Sequence, residues 1–239
     1  MEIKVIAGDI TQIEADAIVV NLFEGEKELS GATAAVDKAL DGAISYLISR
    51  GEIEGKFGKV VTIHTLGKLP ARIVAVAGLG KRPDFAVDKI RGVAGEFCRS
   101  LRKLSCHRIA TILHGAGEIE PEVSVEAIVE GSLLGLYSFN QYKKPEYKDI
   151  EEMLIVEREE SEIPVVERGI HKGKIMGEAA ALARDMVNEP SNRMTPSRMA
   201  EVAKEIADKY VLKFKVFDSE DMEAMGMGGL LGVAKGSSQ

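Results

Sequence analysis

The stretch RIVAVAGLGKRPDFAVDKIRGVAGEFCRSLRKLSCHRIATILH, residues 72–114, holds a strand, a turn, a helix and a second strand in one run. Residues 72–80 are β-branched and small apolar side chains ending in glycine, the composition of a strand buried on both faces. Val87, Ile90, Val93, Ala94, Phe97, Leu101 and Leu104 then recur at helical spacing, which a strand has no means of presenting on one face. The apolar run from residue 108 returns to a strand. Strand, helix and strand in succession are the unit of a largely parallel sheet with the helix laid over it.

Working outward, residues 59–65 form another β-branched run, separated from the first by a turn with Gly67 and Pro70, so the two predict neighbouring strands. Residues 1–7 and 17–20 supply two more strands, with Gly8 and Asp9 turning the chain between them. From residue 29 to residue 51, Ala34, Ala35, Ala39, Leu40, Leu47 and Ile48 predict one helical face that Gly42 weakens in the middle. Beyond the opening stretch, Val125, Ile128, Val129, Ser132, Leu133 and Leu136 mark a further helix, and a strand from residue 151 closes the sheet region. The alternation predicts a three-layer α/β domain with a mostly parallel sheet over residues 1–158, with Val5, Val19, Ile63, Val74 and Ile112 central in it.

Residues 159–187 predict a linker helix. Gly169, Gly173 and Gly177 recur every fourth residue on it, an arrangement that either lets a second helix approach closely, the preferred reading, or simply lowers helix stability by up to about 1 kcal/mol each. Asn188 and Pro190 stop that helix, and Thr195 as N-cap with Pro196 at the first position starts another, so the two meet at an elbow. Residues 188–239 then predict one α–β–α step: a helix over 196–210, a strand over 213–217 and a short helix from Ser219.

The 239 residues are 45% apolar and 29% charged, ordinary for a globular chain of one large domain or of a domain and part of another. A net charge of −7 and a pI near 5.3 disfavour nucleic-acid binding. Cys98 and Cys106 match neither a disulfide framework nor a metal knuckle and read as reduced thiols. No apolar run approaches the ~20 residues of a bilayer span and the start has no secretory layout, so the expected address is the cytoplasm, with no membrane partner.

Candidate chemistry was weighed against plainer readings. Residues 77–84, AGLGKRPD, follow a strand with glycines and a lysine, but their spacing fits neither the phosphate loop nor the dinucleotide fingerprint, leaving a structural turn. GAGE at 115–118 fails in the same way. His64, His107, His114 and His171 show no metal-ligand spacing, Cys98 has no neighbouring histidine to activate it, and Glu157 through Glu162 read as a solvated charge run. No catalytic, metal or cofactor residue survives this search.

Two further stretches carry resemblances. Residues 8–21, GDITQIEADAIVVN, and 30–43, SGATAAVDKALDGA, resemble the opening of macro domains, which hold ADP-ribose. The glycine run that would let backbone amides approach a phosphate is reduced to Gly31 here, so Asp9 reads as a turn residue. NEPSNRMTP at 188–196, with KFKVFDSEDMEAMGMGGLLGVAKGSSQ at 213–239, closely resembles the leucyl aminopeptidase family of two-metal exopeptidases.

That resemblance implies a macro-like amino-terminal domain joined by a helix to a truncated α/β catalytic segment. The whole enzyme would be a cytoplasmic homohexamer removing amino-terminal residues from peptides with two divalent metals, manganese or zinc. The family's metal ligands, a lysine, several aspartates and a glutamate, and its assisting lysine and arginine all lie past the motif GVAKGSSQ. Lys235 is therefore not the ligand lysine, the segment itself holds no metal, and no peptidase activity is expected of it alone. Leu230, Leu231 and Val233 would be left as an apolar patch favouring self-association or disorder. The alternative is a stand-alone macro-like binding module for a nucleotide-type ligand or a protein partner. A nucleic-acid-binding regulatory role, known for some family members, is opposed by the acidic balance.

Overall fold

The computed structural model describes residues 1–115 and 117–237. They divide into two compact units, Met1–Leu182 and Ala183–Gln239. Among the described residues the first unit holds six strands: β1 (Glu2–Ala7), β2 (Ala17–Phe23), β3 (Val60–His64), β4 (Ile73–Gly80), β5 (Arg108–Ile112) and β6 (Glu152–Glu157). They form one sheet in the order β1-β6-β5-β2-β4-β3, parallel throughout except where β3 runs antiparallel to β4. Eight α-helices accompany them in the described chain: α1 (Gly31–Ala39), α2 (Ala43–Ser49), α3 (Val87–Lys103), α4 (Pro121–Leu136), α5 (Ile163–Asn188), α6 (Pro196–Tyr210), α7 (Ser219–Ala224) and α8 (Gly228–Ala234). The predicted α/β class with a mostly parallel sheet is the observed one.

Each face of the sheet has its own core. Val19, Ala75, Ile109 and Met153 point to one side, against Ile90, Val93 and Phe97 of α3, Val125 and Ile128 of α4, and Val166 of α5. Ile18, Val20, Val74 and Leu154, the alternate residues of the same strands, meet Val36 of α1 and Ile44 of α2 on the other. Burial on both faces is why β4 is continuously apolar and β2 is so from Ala17 to Val20; β4 is buried from end to end.

Several expectations need correction. Val5 and Ile63 lie on the two edge strands and are only half-buried, while Val19 and Val74 are central. The single helix expected around Gly42 is two: Asp41 (φ 54°) and Gly42 (φ 82°) both enter the left-handed region and end α1. The turn is tied by the Asp37 carboxylate, whose Oδ1 accepts from the N–H groups of Ile44 (2.7 Å) and Ser45 (3.0 Å). Of the predicted face Leu40 is buried, while Ala34, Ala35, Ala39, Leu47 and Ile48 are half-buried and Thr33, Val36 and Ile44 take the fully buried places.

In the second unit no strand forms over 213–217. Phe214 and Val216 are exposed and the described residues supply no neighbouring strand to pair with. The elbow expected before α6 is present: Thr195 Oγ1 accepts from Arg198 N at 3.3 Å and Pro196 opens the helix. Leu230 and Val233 lie exposed on α8.

The glycine stripe on α5 does pack closely. A methyl group added at Gly169 would lie 2.1 Å from Val125 Cγ1, at Gly173 2.6 Å from the Glu126 carbonyl oxygen, and at Gly177 2.7 Å from Leu133 Cδ1. α5 therefore seats its backbone directly on α4 of the same unit.

Candidate functional site

Parallel sheets expose ligand crevices at the carboxyl ends of their strands, at the point where successive connections leave for opposite faces. Here that point lies between β2 and β5. The chain leaves β2 for α1 on one face and leaves β5 for α4 on the other. The crevice at this point, about 140 Å³, is bounded by Asn21 and Phe23 at the end of β2, Ile112 and Leu113 at the end of β5, Ser30 at the start of α1, and Arg82. A second hollow of about 160 Å³ lies beside it, between the ends of β1 and β6 and the alanine face of α1.

Arg82 spans the mouth of the first crevice. Its two terminal nitrogens reach Glu26 and Glu118, and the guanidinium carbon sits 4.2 Å above the Phe23 ring, itself edge-on to Phe85 at 5.0 Å. These contacts, the largest being the bonds to Glu26 and then Glu118, raise the guanidinium pKa above its ordinary value. The residue read from sequence as part of a structural turn is thus a strap over the crevice.

Beneath it runs a polar chain. Asn21 Nδ2 donates to His114 Nδ1 (2.9 Å), His114 Nε2–H donates to Thr111 Oγ1 (3.2 Å), and Thr111 in turn donates to the Ile112 carbonyl (3.3 Å). The tautomer follows from the network, since the Asn21 amide nitrogen has protons only to give. His114 is wholly buried, and that burial pushes its pKa down to about 4, so the ring is neutral at pH 7. Its carbonyl accepts from Ser124 Oγ at 2.8 Å and so anchors the first turn of α4. Sequence inspection grouped His114 with the other histidines because its partner, Asn21, lies on another strand.

Asp9 behaves as the turn residue expected. Its Oδ1 accepts from Thr11 N (2.9 Å) and Thr11 Oγ1 (2.8 Å), with Arg158 at 3.5 Å. The backbone bond from Thr11 above all, then its hydroxyl, hold the carboxyl below the usual range. His64 and His171 are exposed, and His107 lies 4.0 Å from Glu151 at the opposite end of the sheet. Residues 115–118 fall partly outside the described residues. Cys98 is a free thiol, buried and raised to about 12 by desolvation, which makes it inert as a nucleophile. Lys235 is an exposed residue at the end of α8.

Among the described residues no three His, Cys, Asp or Glu side chains gather as a metal ion would require. Nor is any of the described helices long and apolar enough to cross a membrane. The crevice offers the Arg82–Glu26 ion pair, the Asn21 amide and the Ser30 and Thr33 hydroxyls beside Leu22, Leu29 and Ile112, groups that can position a ligand.

Comparison with known proteins supplies the rest. The model of the cytosol aminopeptidase family, N-terminal domain, matches residues 19–146, and that of the cytosol aminopeptidase family, catalytic domain, matches residues 181–239. A "Probable cytosol aminopeptidase" of Alkaliphilus oremlandii (strain OhILAs) is 36% identical over all of this chain and 49% of its own length. One from Geobacter sulfurreducens (strain ATCC 51573 / DSM 12127 / PCA) is 35% identical over 100% of this chain and 48% of its own length. The chain thus spans about half the length of the curated relatives it matches.

Among solved structures, a mutant of tomato leucine aminopeptidase superposes with a TM-score of 0.83 over 100% of this chain and 49% of its own, at 23% identity. The bottromycin maturation enzyme BotP in complex with Mn gives 0.73 over 94% of this chain and 43% of its own, at 24% identity. At those identities the superpositions establish the shared fold. The match to the N-terminal domain over more than half of these residues establishes more: the chain belongs to the cytosol aminopeptidase family.

Proposed function

We propose that this chain is the amino-terminal part of a metal-dependent aminopeptidase that removes amino-terminal residues from peptides, and that it serves that enzyme as scaffold. The observation carrying this reading is the catalytic-domain match over residues 181–239, which lies on the same chain as the amino-terminal-domain match over residues 19–146. A stand-alone binding module has no use for that second match. In this reading residues 1–158 are a macro-like domain, residues 159–187 a linker helix, and residues 188–239 the first step of the catalytic domain.

The described residues do not fit a pair of divalent metals, since no ligand cluster is present among them. The reading therefore assigns the manganese or zinc site, and the peptide, to family residues beyond position 239. The mutual support of α4 and α5 is what this chain contributes: a linker helix braced on its own domain along Gly169, Gly173 and Gly177. Assembly as a hexamer and a cytoplasmic address belong to the same proposal, and the family's name supports the address.

The test is turnover of leucine p-nitroanilide. The purified 239-residue chain with manganese or zinc is expected to give none, and the longer reading frame with the same metals to give chelator-sensitive cleavage. Chelator-sensitive turnover by the 239-residue chain, in a preparation free of host aminopeptidase, would overturn the assignment.

A further inference from the structure

The two edges of the sheet are not equivalent. At the β1 edge, Lys174 of α5 donates to the Ile3 carbonyl at 3.2 Å, and Lys4 is flanked by Glu2 and Glu152, so charge guards the strand. At the β3 edge the charges, Lys59 and Lys68, stand outside the strand. Residues 60–67, VVTIHTLG, contain no Asp, Glu, Lys, Arg or Pro in a chain that is 29% charged. We propose that the β3 edge pairs antiparallel with the β3 edge of a second copy of this chain, about a two-fold axis at Thr62.

The register follows from the hydrogen bonding of β3. Gly78 N donates to Lys59 O (2.8 Å) and Thr65 N to Arg72 O (3.0 Å), so the odd-numbered residues of β3 face β4. In an antiparallel ladder the intervening residues then turn their N–H and C=O groups the other way. Val60, Thr62 and His64 are those residues, and among the described residues no backbone partner meets them.

A two-fold at Thr62 sets Thr62 opposite its twin and Val60 opposite His64 of the second copy. All three outward residues are then in hydrogen-bonded pairs, two bonds to each. Between them Val61 faces Ile63 of the second copy at a closely spaced position, a β-branched cross-strand pair. Lys59 meets Thr65, so no like charges are opposed. Phe57 and Leu66, both exposed, flank the strand at its two ends and extend the contact. A self-complementary edge of this kind produces a closed, isologous dimer in preference to an open chain of copies.

Thr62 is exposed and its outward groups take no part in the fold of one copy, so substitutions there test the joint without unfolding it. The native thiols, Cys98 and Cys106, are buried and give no background. In the 239-residue chain, Thr62→Cys should oxidise to a covalent dimer. His64→Cys should do so at least roughly tenfold more slowly, because in this register the two copies of residue 64 lie about 14 Å apart, beyond disulfide reach. By analytical ultracentrifugation the unaltered chain should dimerise with rising concentration, and Thr62→Lys, which opposes two lysines, should weaken the dimer on the order of tenfold. Three results would each refute the pairing: equal cross-linking at 62 and 64, a monomer at every concentration up to about 100 μM, or association unchanged by Thr62→Lys. The last would shift the contact to the exposed apolar residues of 183–237.

Discussion

Replacing Gly173 by alanine sets two effects of opposite sign against each other. In an isolated helix the change stabilises by about 1 kcal/mol, because glycine loses more backbone freedom on folding. In α5 the new methyl would stand 2.6 Å from the Glu126 carbonyl oxygen and 2.7 Å from Val129 Cβ. Both are atoms of the α4 frame close to the backbone, so rotamer changes cannot relieve the overlap. The helices must separate by most of an ångström, which loosens Gly169 and Gly177 on the same stripe as well. Overpacking of this kind costs about 1–3 kcal/mol. With the propensity gain of about 1 kcal/mol subtracted, Gly173→Ala should be destabilising on balance, by up to about 2 kcal/mol. Urea unfolding followed by tyrosine fluorescence and far-ultraviolet dichroism measures it, with Gly232→Ala as the comparison, since nothing lies within 4 Å of that position on α8. A midpoint for Gly173→Ala equal to or above that of the unaltered protein would show that α5 does not rest on α4 as described.

Three other expectations follow from the same contacts. His114 is neutral in the fold down to about pH 4, whereas the unfolded ring takes a proton near pH 6.5. Its contribution is thus complete above pH 6.5 and is lost as the pH falls toward 4, about 3 kcal/mol in all; a ring titrating near 6.5 by NMR would contradict this. For Asp16, burial acts to raise the carboxyl pKa, but the N–H groups of Arg108 (3.0 Å) and His107 (2.6 Å), with Arg72, outweigh it and the net shift is downward. Asp16→Ala strands both N–H groups and should cost about 2 kcal/mol, read as a lower urea midpoint; no change would mean that water replaces the carboxylate. ADP-ribose should bind weakly or not at all, since Arg82 is already engaged by Glu26 and Glu118 across the crevice. A calorimetric dissociation constant below about 10 μM would reverse that reading.

What could be read from the chain beforehand was whatever is local. The α3 stripe needs only a period of 3.6, and the turn at Asp9 only a carboxylate beside a threonine. The order of strands is not local: Val5 and Val19 sit in similar apolar runs, yet one occupies an edge and the other the centre, because placement depends on which crossover returns where. The break between α1 and α2 was visible as Gly42 but was read as weakness within one helix. The Asp37 bonds that make it a corner join residues seven and eight apart. Residues 213–217 alternate as a strand would, yet alternation supplies no partner. The Asn21 and His114 pairing spans 93 positions, and the Arg82 strap draws on glutamates 56 and 36 residues away. Neither leaves a trace in any short window.

The strand order has a consequence for synthesis. β1 is made well before its neighbour in the sheet, β6, so Glu2 waits for Glu152. At translation rates of about 5–20 residues per second, the first strand exists for on the order of ten seconds before its partner leaves the ribosome. During that interval β2, β4, β3 and β5 can assemble with α1 to α3 around them, while Ile3 and Val5 have no seat. Ile3 and Val5 are therefore among the last residues of the sheet to be placed, and a nascent chain arrested before residue 152 would display them without their partner strand.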